Sequence, residues 1–163
     1  MKRLLKQITL TASGFCLAAS IQLTAHAEGE AKTSVNPTAK RFLLEGNNRA
    51  QTDLDGAIQS YQNAITADAK FAAAHYNLAI IYERQSKYAE AAKAYEAAIQ
   101  ADDGYLAAVE NLANLALRQT QPKAAEQILL NAIRRHPADL GLRNRLISVW
   151  LASEKINLSL IHI

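Results

Sequence analysis

One feature of this 163-residue chain fixes most of what it can fold into: a period of 34 residues. Stepping by that period, Ala57, Ala91 and Ala125 coincide. So do Tyr61, Tyr95 and Leu129; Ala64, Ala98 and Ala132; and Ile65, Ile99 and Ile133. In the other half of the unit, Leu44, Leu78, Leu112 and Leu146 fall in one column. A unit of this size cannot bury its apolar face alone and buries it on copies of itself, so the period predicts a stacked array.

Inside each unit the apolar residues recur at helical spacing. Leu78, Ile81 and Tyr82 make one face of a first helix. Ala91, Tyr95, Ala98 and Ile99 make one face of a second. Gln85-Ser86-Lys87 breaks the unit in two. Asp102-Asp103-Gly104 and His136-Pro137-Ala138 separate successive units. Pro37, behind Asn36, and Pro122 stand where helices open, a position at which a missing N–H costs nothing. The expected fold is all-α: a solenoid of about three and a half helix–turn–helix units. Alanine stands where helices approach closely, and Tyr or Leu fills the grooves between them.

These columns resemble the tetratricopeptide repeat. One unit supplies His75, Leu78, Ala79, Tyr82, Ala91, Tyr95, Ala98 and Asp103. The next supplies Val109, Leu112, Ala113, Ala116, Ala125, Leu129, Ala132 and Pro137. Ala57, Tyr61 and Ala64 fit the second helix of the first unit, but Gly46 falls one place late. Either the turn before Asp53 is one residue short or the first helix is irregular. The resemblance implies a right-handed solenoid with units at 37–70, 72–105 and 106–139, followed by a lone helix at 140–157. As a terminal cap, that helix should turn Leu142, Leu146, Val149 and Trp150 inward and Arg143, Asn144, Arg145 and Ser148 outward. The alternative is the first helix of a full fourth unit.

The two ends of the sequence follow no column. Lys2, Arg3 and Lys6 precede a mostly apolar stretch, and Ala25-His26-Ala27 is a small-x-small cleavage signal. Residues 1–27 are therefore expected to be a secretory signal peptide, and 28–36 a polar linker. The apolar stretch is shorter than a membrane span needs and is interrupted by Thr and Ser. No stable membrane insertion is expected after cleavage. Phe15 and Ser13 before Cys16 do not match a lipoprotein signal. The pattern places the mature protein in the periplasm or outside the cell; a eukaryotic secretory origin fits it too. At the other end, Leu158-Ser159-Leu160-Ile161-His162-Ile163 is read as a non-native tail. Codons that encode it spell a transposon end used in sequencing adapters, so the native chain is expected to continue. The alternative is a strand or helix stub packed on Trp150.

Charge excludes one function class. The formal net charge is +3, but Lys2, Arg3 and Lys6 account for all of it. From Glu28 onward basic and acidic residues balance, which argues against a nucleic-acid partner. Catalytic chemistry is equally thin. Cys16 is the sole cysteine, and the four histidines have no metal-ligand spacing. No Gly-rich loop precedes a helix. Asp53 with Asp55, and Asp102 with Asp103, stand at helix boundaries and read as cap and turn residues. No enzyme activity, cofactor or metal is expected.

Binding is the reading that remains. The resemblance implies that first-helix residues line a concave groove for a protein or peptide partner. In this chain they include Tyr76, Asn77, Ile80 and Arg84 in one unit. The next offers Glu110, Asn111, Asn114 and Arg118, and the fourth offers Arg145. Asn77 and Asn111 share a column in which the family grips an extended peptide backbone, because a carboxamide both donates and accepts. The basic residues of the family's carboxylate clamp are missing, since Ala73, Tyr76, Ala107 and Glu110 stand in their places. A mixed apolar and polar groove anchored by Tyr76 and Leu117 is expected.

Overall fold

A computed structural model describes residues 35–161, with side chains through residue 153. The expected signal peptide, nearly all of the linker and the last two residues lie outside the described residues. Among those described there are seven helices and no strand. They are α1 (Pro37–Arg49), α2 (Leu54–Ala67), α3 (Ala72–Arg84), α4 (Tyr88–Ala101), α5 (Leu106–Arg118), α6 (Pro122–Arg135) and α7 (Leu140–Ile161). Each packs chiefly on its neighbours in sequence, as a solenoid requires.

Side-chain caps open α1, α2 and α7, whereas α3 to α6 start without one. Asn36 Oδ1 accepts from the Thr38 amide at 2.9 Å, and Pro37 follows in the first turn. Asp53 Oδ1 accepts from Gly56 N at 2.8 Å to open α2, and Asp139 does the same for Leu142 N at 2.9 Å. Asp102 closes α4 and accepts from Gly104 N at 3.0 Å. Asp53 and Asp102, the two cap residues of the carboxylate pairs, thus work on the backbone.

The first helices end differently. After α3 and α5 the chain turns through left-handed residues, Ser86 (φ 60°) and Thr120 (φ 58°). Lys87 N then reaches Tyr82 O, and Gln121 N reaches Ala116 O, each at 2.9 Å. Glycine is the residue that adopts this conformation without a Cβ clash, so the β-branched Thr120 is strained.

The core runs along the helix seams. Ala79, Ala91, Ala94, Tyr95, Ala98, Ala108, Leu112 and Leu115 form one buried cluster joining α3, α4 and α5. Val109, Ala113, Ala116, Ala125, Leu129, Ala132, Leu142, Leu146 and Val149 form the next, joining α5, α6 and α7. Alanine at the crossings lets the backbones approach, and Tyr95 or Leu129 fills the space between.

The first unit departs from the expected register. The α1 helix is regular, and the turn after it is not short: residues 50–53 join α1 to α2 where 85–87 join α3 to α4, but α1 ends closer behind Gly46 than α3 does behind Ala79, so Gly46 stands one residue nearer to its second helix. One residue is about 100° of helix rotation. Leu44 therefore leaves the column predicted for it and is 61% exposed, while Leu43 packs on the core. Gly46 is buried against Tyr61, and a Cβ there would overlap the tyrosine ring.

The last helix also corrects the expectation. Leu142, Leu146 and Val149 are buried, but Trp150 is 46% exposed, and its indole N–H donates to Glu126 Oε1 at 2.9 Å. Leu140, Ile147 and Leu151 are exposed beside it. Their counterparts one period earlier are Leu106, Ala113, Ala116 and Leu117, all packed in the cluster that α6 covers. The outer face of α7 is therefore the apolar face of a first helix, not a polar cap.

Two substitutions test this account by urea unfolding. Thr120→Gly should raise stability by about 1 kcal/mol, by removing the left-handed Cβ strain. Gly46→Ala should lower it by about 1–3 kcal/mol, because the buried Tyr61 must shift.

Candidate functional site

A cavity of about 500 Å³ opens between α3 and α5, with α4 beneath. Ile80, Glu83, Arg84, Tyr95, Asn111, Asn114 and Arg118 line it. Of the residues expected on the inner face, the cavity brings together Ile80, Arg84, Asn111, Asn114 and Arg118. Tyr76 stands behind Asn111, with its ring against Tyr95 (centroids 5.8 Å apart) and Tyr105 (5.2 Å). Asn77 lies nearer the first unit, Glu110 is exposed, and Leu117 packs on the α5–α7 core. None of these three lines the cavity, nor does Arg145, whose Nε is buried without a partner among the described residues.

Hydrogen bonds bind the floor across two units. Glu83 Oε1 accepts from the Tyr95 hydroxyl at 2.7 Å, and Oε2 from the Arg118 guanidinium. Asn111 Nδ2 lies 3.1 Å from the Tyr76 oxygen and 3.4 Å from that of Tyr95. One unit earlier, Asn77 Nδ2 and the Tyr61 hydroxyl both donate to Asn47 Oδ1, each at 2.8 Å. Arg84 donates to the Ala50 carbonyl. The expected role of Asn77 and Asn111, donating and accepting toward a partner, is altered by this network. Their amide groups are turned into the protein.

Three residues of this network escaped the sequence reading as site residues. Glu83 has no binding role in the repeat pattern, Tyr95 fits it as a groove-filling residue, and the register shift at Gly46 hides Asn47. The signal was the pairing of columns. Tyr61 and Tyr95 recur one period apart, each followed after a constant interval by Asn77 and Asn111. A buried phenol needs a hydrogen-bond partner, and a recurring amide supplies one.

Burial pushes the Tyr95 phenol up to about 12 from its ordinary 10.0; the Asn111 hydrogen bond opposes the rise and nearby Tyr76 adds to it. Burial likewise raises Tyr61, against the Asn77 hydrogen bond and the Arg84 charge. It raises Tyr105 too, with Tyr76 and Asp102 adding to the effect. Groups of three or more metal-ligating side chains do not occur among the described residues. His75 Nε2 lies 3.0 Å from the Ala69 carbonyl and His136 Nε2 2.8 Å from that of Asp103, so both rings tie turns together. No described helix is long and apolar enough to cross a membrane.

Fold and groove together define an all-α helical-repeat array with an open cleft between its first helices. Residues 48–105 match the family model of the tetratricopeptide repeat. The fold agrees with solved structures of such domains. The first TPR of Spaghetti (RPAP3), bound to the HSP90 peptide SRMEEVD, is 21% identical with a TM-score of 0.61. The match covers 73% of this chain and 98% of that one. The Sgt2 TPR domain from Aspergillus fumigatus is 21% identical, with a TM-score of 0.62, covering 74% and 82%. The TPR2B domain of yeast Sti1, in complex with pHsp70, is 19% identical, with a TM-score of 0.59, covering 71% and 98%. Among curated proteins, none matches this chain.

The raised Tyr95 phenol has a consequence for alkaline stability. In the unfolded chain the group ionises near 10, whereas in the folded chain it stays neutral to about 12. The stability it contributes is complete below about pH 10 and is lost as pH rises through about 12. Tyr95→Phe should therefore flatten the decline, as read from urea midpoints compared at about pH 9 and about pH 11.

Proposed function

We propose that this chain is an exported protein-interaction scaffold that holds an extended peptide segment of a partner protein between α3 and α5. The observation that carries the reading is the cavity itself. It offers an apolar side chain at Ile80, carboxamides at Asn111 and Asn114, and guanidinium groups at Arg84 and Arg118. A concave site of this composition suits a peptide, whose main chain needs polar partners and whose side chains need apolar ones. The Spaghetti and Sti1 structures, with an HSP90 peptide and pHsp70 bound, are in keeping with such a role. The basic start, apolar stretch and small-x-small site of residues 1–27 support export to the periplasm or beyond the cell. The reading includes neither enzyme activity nor a nucleic-acid partner.

A second reading rests on the outer face of α7. Ile147, Trp150 and Leu151 stay exposed where α5 presents Ala113, Ala116 and Leu117 to α6. In this reading the protein is the N-terminal repeat array of a longer envelope-assembly protein, and a second helix following α7 covers that face. Reading the source locus across the codons of Asn157 and Leu158 decides it. A continuing frame without the adapter string supports the longer protein, and an in-frame stop after Ile163 removes it.

The groove is tested with Asn114→Ala combined with Ile80→Asp. Partner capture from the exported fraction should fall by about tenfold, roughly the loss of one good contact. The helical circular dichroism should be retained. Undiminished capture by a folded double variant would place the binding surface elsewhere.

A further inference from the structure

Glu83 is the most enclosed charged group of the cleft, with a side chain 16% exposed. As a carboxylate paired with Arg118 it accepts hydrogen bonds and donates none. Its Oε1 lies 2.7 Å from the Tyr95 oxygen, so the single phenolic proton of Tyr95 is committed to it. Toward every other neighbour the Tyr95 oxygen is then an acceptor only. Asn111 answers with its amide nitrogen, 3.4 Å from Tyr95 and 3.1 Å from Tyr76, and both N–H bonds are used. Turned over, the carboxamide would set its oxygen against the lone pairs of Tyr95. Asn111 lines the cleft, and the atom it has left for a ligand is Oδ1. The preceding step has the same sense, since Asn77 also spends an N–H inward, on Asn47.

We propose that Glu83 is a positioning residue: through Tyr95 it holds Asn111 as an acceptor, so the cleft selects an N–H donor at this step. The donor is a main-chain amide of an extended peptide segment. A carboxylate placed there would meet an oxygen and be disfavoured, so the segment is bound by its interior, not by a terminal carboxyl group. This rests on the peptide-binding reading of the same groove, and the test separates the two.

Linear peptides are selected from a displayed random library on the full chain, and the backbone amides of a binder are N-methylated one at a time. One N-methyl position should weaken binding to the wild type by about tenfold, as for one lost hydrogen bond. The same methyl should matter less than about twofold for Glu83→Ala, in which Tyr95 is released and Asn111 can turn over. Glu83→Gln keeps an oxygen for Tyr95 and should restore the tenfold penalty, which a loss of fold would not do. Suppose instead that binding responds to Asn114→Ala but every N-methyl penalty is equal in wild type and Glu83→Ala. The groove then binds peptide and the role of Glu83 is overturned. Should no peptide bind, or binding ignore Asn114→Ala, the groove reading falls and this inference falls with it.

Discussion

The structure depends on how closely two helices can lie. Interaxial distances of about 8 Å, the low end for packed helices, need small residues at the crossing. Ala79 and Ala113 supply them on the first helices, in the same clusters as Ala91 and Ala125 on the second, and Gly46 does so against Tyr61. Each hairpin is drawn tight at that point, and the space left at its edges is filled by Tyr61, Tyr95 or Leu129. Close hairpins stack at a regular interval, and the first helices come to stand side by side along one face. The cleft between α3 and α5 is thus a by-product of the alanine seams.

The same packing brings phenols to the floor of the cleft. Tyr95 buries its ring and reaches the wall with its hydroxyl, where Glu83 and Asn111 complete its hydrogen bonds. A buried phenol left unpartnered would cost about 1–3 kcal/mol, so the network stabilises the fold before it serves any ligand. Arg118 joins from the neighbouring unit and neutralises Glu83. Packing and the proposed recognition share these atoms, and a change at Tyr95 should act on both.

Much of this was legible in the residues. Seven helices follow from the apolar spacing, the two prolines and the Asp and Asn caps, because these features act locally. Ile80, Arg84, Asn111, Asn114 and Arg118 could be placed on one wall because the resemblance to the tetratricopeptide repeat names the lining positions and the period carries them from one unit to the next. What was not legible depended on phase and on partners far along the chain. Leu44 satisfied the column arithmetic yet points outward, since α1 is offset by one residue from the 34-residue period. Trp150 was expected to be buried for its apolarity, but the face it occupies has no covering helix among the described residues. The direction of the Asn111 carboxamide depends on which oxygen of the network owns a proton, and spacing carries no information about that.

The ladder of phenols and amides does not run the length of the array. Tyr61 is followed by Asn77 and Tyr95 by Asn111, but at the next step the columns hold Leu129 and Arg145. Leucine has no oxygen to offer, and the Arg145 Nε is left buried and unanswered among the described residues. A strictly periodic cleft would let an extended strand slide by one unit and find the same contacts again. Here the change from amide to guanidinium acts as a stop on the ruler. In the proposed peptide-binding role, a strand lying in the cleft would have one registration.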